Sequence, residues 1–147
     1  MTYLCQAFPE KLACYYGSTL LEKTKVDDYL SWYQGTFRPR MLAIFILRFK
    51  SFRTKAPLTK ELYAEAEDRM KGAFDKLESF LSKGNPYVCG SKVTIADLLF
   101  FHESCNIIMY KYDISPWPNM KAWFDRMLEL EENNDIIKRY KERLPTV

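Results

Sequence analysis

Apolar residues along this chain recur at intervals of three and four, and the alternation that marks a half-buried strand is almost absent. Breakers punctuate the pattern at Pro9, Gly17, Gly35/Pro39, Pro57, Gly84-Asn85-Pro86, Gly90, Pro116/Pro118 and Pro145. The first long stretch runs from about Ser18 to Arg53. In it Leu20, Leu21, Tyr29, Trp32 and Tyr33 share one stripe, followed by Phe37, Met41, Ile44, Phe45 and Arg48. A helical proline removes a hydrogen bond and crowds the preceding turn, so Pro39 predicts a kink near Gly35. The second stretch, Thr59 to Lys83, is the clearest amphipathic helix, with Leu62, Ala66, Met70, Ala73, Phe74, Leu77, Phe80 and Leu81 in step. Gly84 then stands where a left-handed C-cap is wanted.

The third stretch, Thr94 to about Tyr110, opens on a complete start signal. Thr94 and Asp97 have the spacing of a capping box, and Val93 and Leu98 that of a hydrophobic staple. Downstream, Leu98, Leu99, Phe101, Cys105 and Ile108 are apolar on more than one face, as in a buried central helix. A fourth helix is expected after Pro118 (Met120, Trp123, Phe124, Met127, Leu128) and a short one after Asn134 (Ile136, Ile137, Tyr140). The fold class predicted is an all-α bundle of about five helices.

Composition agrees with one packed domain. The 147 residues include 48% hydrophobic and 16% aromatic residues with a net charge of +3, which excludes a disordered tail, a collagen-like repeat or a strongly basic nucleic-acid arm. No apolar run is long enough to span a bilayer; the richest, Met41 to Leu47, lies between Arg40 and Arg48. Cys5, Cys14, Cys89 and Cys105 have no pairing rhythm, and the first residues resemble neither a signal nor a transit peptide. Reduced thiols in the cytoplasm are expected, with an organellar assembly as the alternative.

The segment Gly90-Ser91-Lys92-Val93-Thr94-Ile95-Ala96-Asp97 resembles the capped core helix of the C-terminal domain of cytosolic glutathione transferases. Pro116-Trp117-Pro118 followed by Trp123 continues that family's order of landmarks. Val26-Asp27-Asp28-Tyr29-Leu30-Ser31-Trp32 resembles the first helix of that domain in theta-like members. Tyr3-Leu4-Cys5-Gln6-Ala7-Phe8 looks like the end of the helix closing the preceding domain. The resemblance implies that residues 1–8 are a remnant of a thioredoxin-like domain or a linker, and that residues 9–147 form the helical domain. It implies a hydrophobic-substrate-binding, dimer-forming half. The glutathione site and the activating residue belong to the thioredoxin-like half, which Met1 to Pro9 cannot supply. No catalytic residue, metal or cofactor is therefore assigned, and glutathione enters only if another chain brings that half. The other implied role is a non-catalytic docking subunit of a larger assembly, since such domains also occur in translation factors and synthetase complexes.

The same resemblance marks Arg38, six residues after Trp32, as the residue facing the cleft that receives the electrophile, where a guanidinium holds an anionic leaving group. Tyr33, Phe37, Met41 and Phe45 share its face and are the candidate cleft lining; plain core packing is the alternative for them, and a solvated position for Arg38. Gly35 stands about where some members carry an acid that reaches the neighbouring subunit's glutathione. Thr94 and Asp97 read as fold residues, each variant to alanine costing about 1–2 kcal/mol without touching ligand affinity.

Independently of any family, Tyr29 to Lys60 holds no acid but seven bases: Arg38, Arg40, Arg48, Lys50, Arg53, Lys55 and Lys60, with Phe45, Phe49 and Phe52 interleaved. With acids gathered at Glu129, Glu131, Glu132 and Asp135, this predicts a protein partner docking on 37–60 rather than nucleic acid. His102 and Cys105 sit one helical turn apart; with Cys89 they would make three metal ligands, but packing in the core is the expected role.

Overall fold

The computed structural model describes residues 1–55, 57 and 59–142, without the side chains of Phe52, Met109, Tyr110 and Lys141. Phe52 and Pro145, both singled out by the sequence pattern, thus fall outside the described side chains and residues. Two short helices, α1 (Thr2–Ala7) and α2 (Pro9–Leu12), lead through a 3-10 turn to α3 (Leu20–Trp32). A π-helical segment, Tyr33–Phe37, joins α3 to α4 (Arg38–Thr54). Then come α5 (Lys60–Leu81), α6 (Ile95–Ser104), α7 (Asn106–Tyr110), α8 (Pro118–Glu129) and α9 (Asn134–Glu142). No strand is present among the described residues; one isolated bridge pairs Tyr87 with Gly90.

The spine of the fold is α5, which buries Ala66, Met70, Ala73, Phe74, Leu77 and Leu81 and packs against α4 and α8. The central helix is α6, with Ile95, Ala96, Phe100 and Phe101 all buried. Around Phe100 gather Trp32 (ring centroids 5.3 Å apart), Tyr33 (5.4 Å) and Phe37 (4.9 Å), so the end of α3, the π segment and α6 meet in one aromatic cluster.

The expected kink region is the π segment. Pro39 has no N–H to offer, and an i→i+5 turn lengthens the ladder by one residue there. The third stretch is divided rather than continuous. Asn106 turns its side-chain amide back to the Glu103 carbonyl (3.1 Å), competing for the backbone group that would carry the helix on. The stripe begins later than the spacing implies: Leu20 and Leu21 are 83% and 70% exposed, and the first core residue of α3 is Val26.

A second capping box, not among those expected from the sequence, starts α3. The Thr19 hydroxyl accepts from Glu22 N–H (3.2 Å), and Glu22 accepts from the N–H of Ser18 (2.7 Å) and of Thr19 (3.0 Å). Gly17 enters this cap at φ +100°, where any Cβ would strike the Glu22 Cβ 2.6 Å away.

At α6 the Thr94–Asp97 box is present and does more than cap. Asp97 is fully buried and accepts from Thr94 N–H (2.9 Å), the Thr94 hydroxyl (2.8 Å), Val88 N–H (2.8 Å) and Trp123 Nε1–H (3.0 Å). One carboxyl thus ties the 84–94 loop, the start of α6 and α8. Burial pushes it above the ordinary carboxylate range, against those four donors, which pull it down.

Candidate functional site

The residues predicted around Arg38 separate onto two sides of the chain. Tyr33, Phe37 and Met41 are 3%, 0% and 2% exposed and belong to the core, the plainer of the two readings open for them. The stripe keeps its register through the π segment, with Tyr33, Phe37, Met41 and Ile44 all buried, while Arg38, the residue after Phe37, falls about 100° further round the helix. Phe45 is half-buried and lies on a cavity, while Arg38, its side chain 48% exposed, turns Nε toward Glu103 Oε2 (3.6 Å).

Glu103 is the hinge of this region. It sits on α6 and accepts from the buried Tyr33 hydroxyl at 2.9 Å. Burial first, then this bond to a carboxylate, raises the Tyr33 phenol above its ordinary range, so it remains a donor. Beside Glu103 opens a cavity of about 550 Å³, walled by Leu42, Phe45 and Phe49 of α4 and by Ile136 and Tyr140 of α9. Its polar groups are Glu103, Asn106 and Arg139. The Phe45 and Phe49 rings are stacked, centroids 6.0 Å apart and 10° from parallel. A concave, largely apolar space with a few convergent polar groups can hold a small hydrophobic molecule. Of its residues, only Phe45 belongs to the lining expected from the sequence. The solitary acid of the latter half of α6 is the signal by which Glu103 could have been found.

Residues 39–131 match the family described as glutathione S-transferase, C-terminal domain. The chain belongs to that family. Its glutathione S-transferase relatives include glutathione S-transferase D7 of Drosophila melanogaster, 24% identical over 97% of this chain and 62% of the relative. A dichloromethane dehalogenase of Methylophilus leisingeri is 30% identical over 86% of this chain and 51% of the relative. Among solved structures, a Bombyx mori glutathione transferase in complex with GTT superposes with a TM-score of 0.78 at 26% identity, over 96% of this chain and 63% of that one. The chain therefore spans about half to two thirds of the length of these relatives, and what it shares with them is the helical domain.

In this glutathione S-transferase C-terminal domain the four cysteines are unbridged. Burial drives the Cys89 and Cys105 thiols up to about 12. His102 points Nε2 at Asn133 Oδ1 (3.3 Å), and Cys105 is buried. Among the described residues no three His, Cys, Asp or Glu side chains come together to hold a metal ion. Among them, too, no helix is long and apolar enough to cross a membrane.

The bases of 37–60 are partly committed. Arg48 Nη2 donates to the Tyr63 hydroxyl (2.6 Å) and its guanidinium lies 5.2 Å from that ring, and Arg53 lies 5.9 Å from the Phe49 ring. Residues 56 and 58 of the stretch lie outside the described residues.

Proposed function

We propose that this chain is the helical, hydrophobic-ligand-binding and dimer-forming half of a theta-like, cytoplasmic glutathione S-transferase. It conjugates glutathione only when a thioredoxin-like half is supplied, on the same protein or by another chain. The observation that carries this is the apolar cavity between α4 and α9, beside Glu103 and Arg38. Arg38 keeps its Nη groups for an anionic leaving group while Nε faces Glu103. Residues 1–8 fit the closing segment of a preceding domain: Met1, Tyr3, Leu4 and Phe8 are exposed, as are Leu20 and Leu21, and large apolar side chains left in solvent are what a further domain covers. Dimer formation is supported by the groove where Ile46 and Leu47 of α4 meet Leu62 and Ala66 of α5, with Ile46 and Leu62 exposed.

The pure chain, mixed with glutathione and a chlorinated aromatic electrophile, is expected to show no turnover above the uncatalysed rate. Robust turnover overturns the requirement for a second half.

A second reading, a docking subunit within a larger assembly, is favoured by one feature: Ile46 and Phe49 are exposed on α4 inside a stretch with seven bases and no acid. Native mass separates the two. Sedimentation of the tagged chain from its own cell lysate is expected to give twice 17.5 kDa, or that mass plus a small thioredoxin-like partner. Recovery only in a particle of hundreds of kilodaltons decides for the docking subunit.

A further inference from the structure

A second cleft, of about 300 Å³, opens where the π segment and the first turns of α4 meet α5, and it shares no residue with the α4–α9 cavity. Gly35, Thr36, Pro39, Arg40 and Ala43 line it from one side and Arg69 of α5 from the other. Single π turns occur disproportionately at functional sites, and this cleft is built on one. Arg40 is its central group. It is half-buried, and among the described residues it has neither a hydrogen-bond nor an ion-pair partner. The acids in the middle of α5 are committed elsewhere. Glu65 pairs with Arg69, Glu67 with Lys71 and the Tyr112 hydroxyl, and Asp75 accepts from the Trp117 indole. Asp68 is exposed and forms no ion pair among the described residues.

Gly72 makes the seat for Arg40. Glycine weakens a helix interior relative to alanine, but a Cβ at this position would stand 3.3 Å from Arg40 Nη1. A half-buried guanidinium without a counter-ion is a cost that a bound anion relieves. Arg69 offers a second guanidinium, since its pair with Glu65 is 64% and 61% exposed and weak enough to be shared. The half-buried Thr36 hydroxyl, with no hydrogen bond among the described residues, is a third donor. A planar carboxylate is filled by one guanidinium fork, whereas a tetrahedral oxyanion can take donors from all three elements. We infer that this cleft binds a phosphate group, free or as a small monoester, with Arg40 as the principal ligand and Arg69 and Thr36 as supporting donors. Ala43 and Arg69 also line the groove proposed for dimer contact, so the competing occupant is an acidic side chain of a second copy.

The test titrates inorganic phosphate, phenyl phosphate and acetate into the full isotope-labelled chain at fixed ionic strength, read by nuclear magnetic resonance. Saturable shifts at Gly35, Thr36, Ala43 and the Arg40 Nε–H are expected with both phosphates and not with acetate. Matched affinities make free phosphate the sufficient ligand, and tighter phenyl phosphate makes it a monoester. Arg40→Gln is expected to lower phosphate affinity about tenfold and Arg69→Gln about threefold. Lys83→Gln, which removes the same charge beyond the end of α5, is expected to leave it unchanged. Gly72→Ala is expected to lower affinity about threefold without lowering the urea midpoint, because only the far end of a flexible side chain has to move. Equal losses in Arg40→Gln and Lys83→Gln, or saturation by acetate at the same affinity, overturn the site. A phosphate midpoint that climbs with protein concentration assigns the cleft to a second copy and overturns it as well. Circular dichroism confirms folding before titration, and the exposed Arg69 and the Gly72 variant carry the test should Arg40→Gln fail to fold.

Discussion

Asp97→Ala is expected to lower the unfolding free energy by about 4 kcal/mol, and Thr94→Ala by only about 1 kcal/mol, although the two residues look like equal partners in one cap. The asymmetry follows from who is left without a partner. Truncating Asp97 strands the N–H groups of Val88 and Thr94 and the Trp123 indole N–H in a site that is fully buried. Each orphaned donor costs about 1–3 kcal/mol, less what local relaxation recovers. Truncating Thr94 removes only a hydroxyl, and the backbone N–H keeps its carboxylate. Asp97→Asn is the sharper control. Each carboxyl oxygen receives two of the four donors, so the amide nitrogen faces two of them whichever way it is flipped. A loss between the other two variants is expected. Urea denaturation of the three variants checks the order, and equal losses for the alanine variants would reduce Asp97 to a simple cap.

The contrast between those two residues shows what one sequence can carry. The Thr94–Asp97 pair is visible because its partners are three residues apart, and local chemistry recurs wherever a helix begins. Thr19 and Glu22 obey the same rule at the same spacing, so that cap is equally legible. The period of α5 and α8 is legible for a related reason: each buries one continuous face in one neighbourhood. The buried face of α4 is legible in the same way, since Phe37, Met41 and Ile44 carry the Tyr33 stripe into the core; what the spacing misplaces is Arg38, which stands beside that stripe and not on it. Leu20 and Leu21 mislead in another way, since an apolar residue at helical spacing need not face its own chain's core. The cavity is hidden for lack of range. Glu103 meets Tyr33 across 70 residues and α9 returns to α4 from the far end of the chain, and no local pattern records such pairings.

Glu103→Ala is expected to destabilise the fold by about 3 kcal/mol, most of it through a hydroxyl the substitution does not touch. Tyr33 is 3% exposed and its hydroxyl donates to Glu103 Oε2, so losing the carboxylate leaves a buried phenol with its proton unshared. The void left by the side chain adds to this. Arg38 contributes little to the loss, since nearly half of its side chain is in solvent and water replaces the ion pair. A double-mutant cycle separates the hydrogen bond from the packing. Tyr33→Phe alone removes the donor and leaves Glu103 facing Arg38, and is expected to cost about 1 kcal/mol. The double variant Tyr33→Phe/Glu103→Ala is then expected to be more stable than Glu103→Ala alone, because the orphaned hydroxyl has gone with its partner. Strict additivity of the two losses in urea denaturation would mean that Glu103 acts on α4 and α6 by packing, and that the hydrogen bond between the π segment and α6 contributes nothing to holding the cavity wall in place.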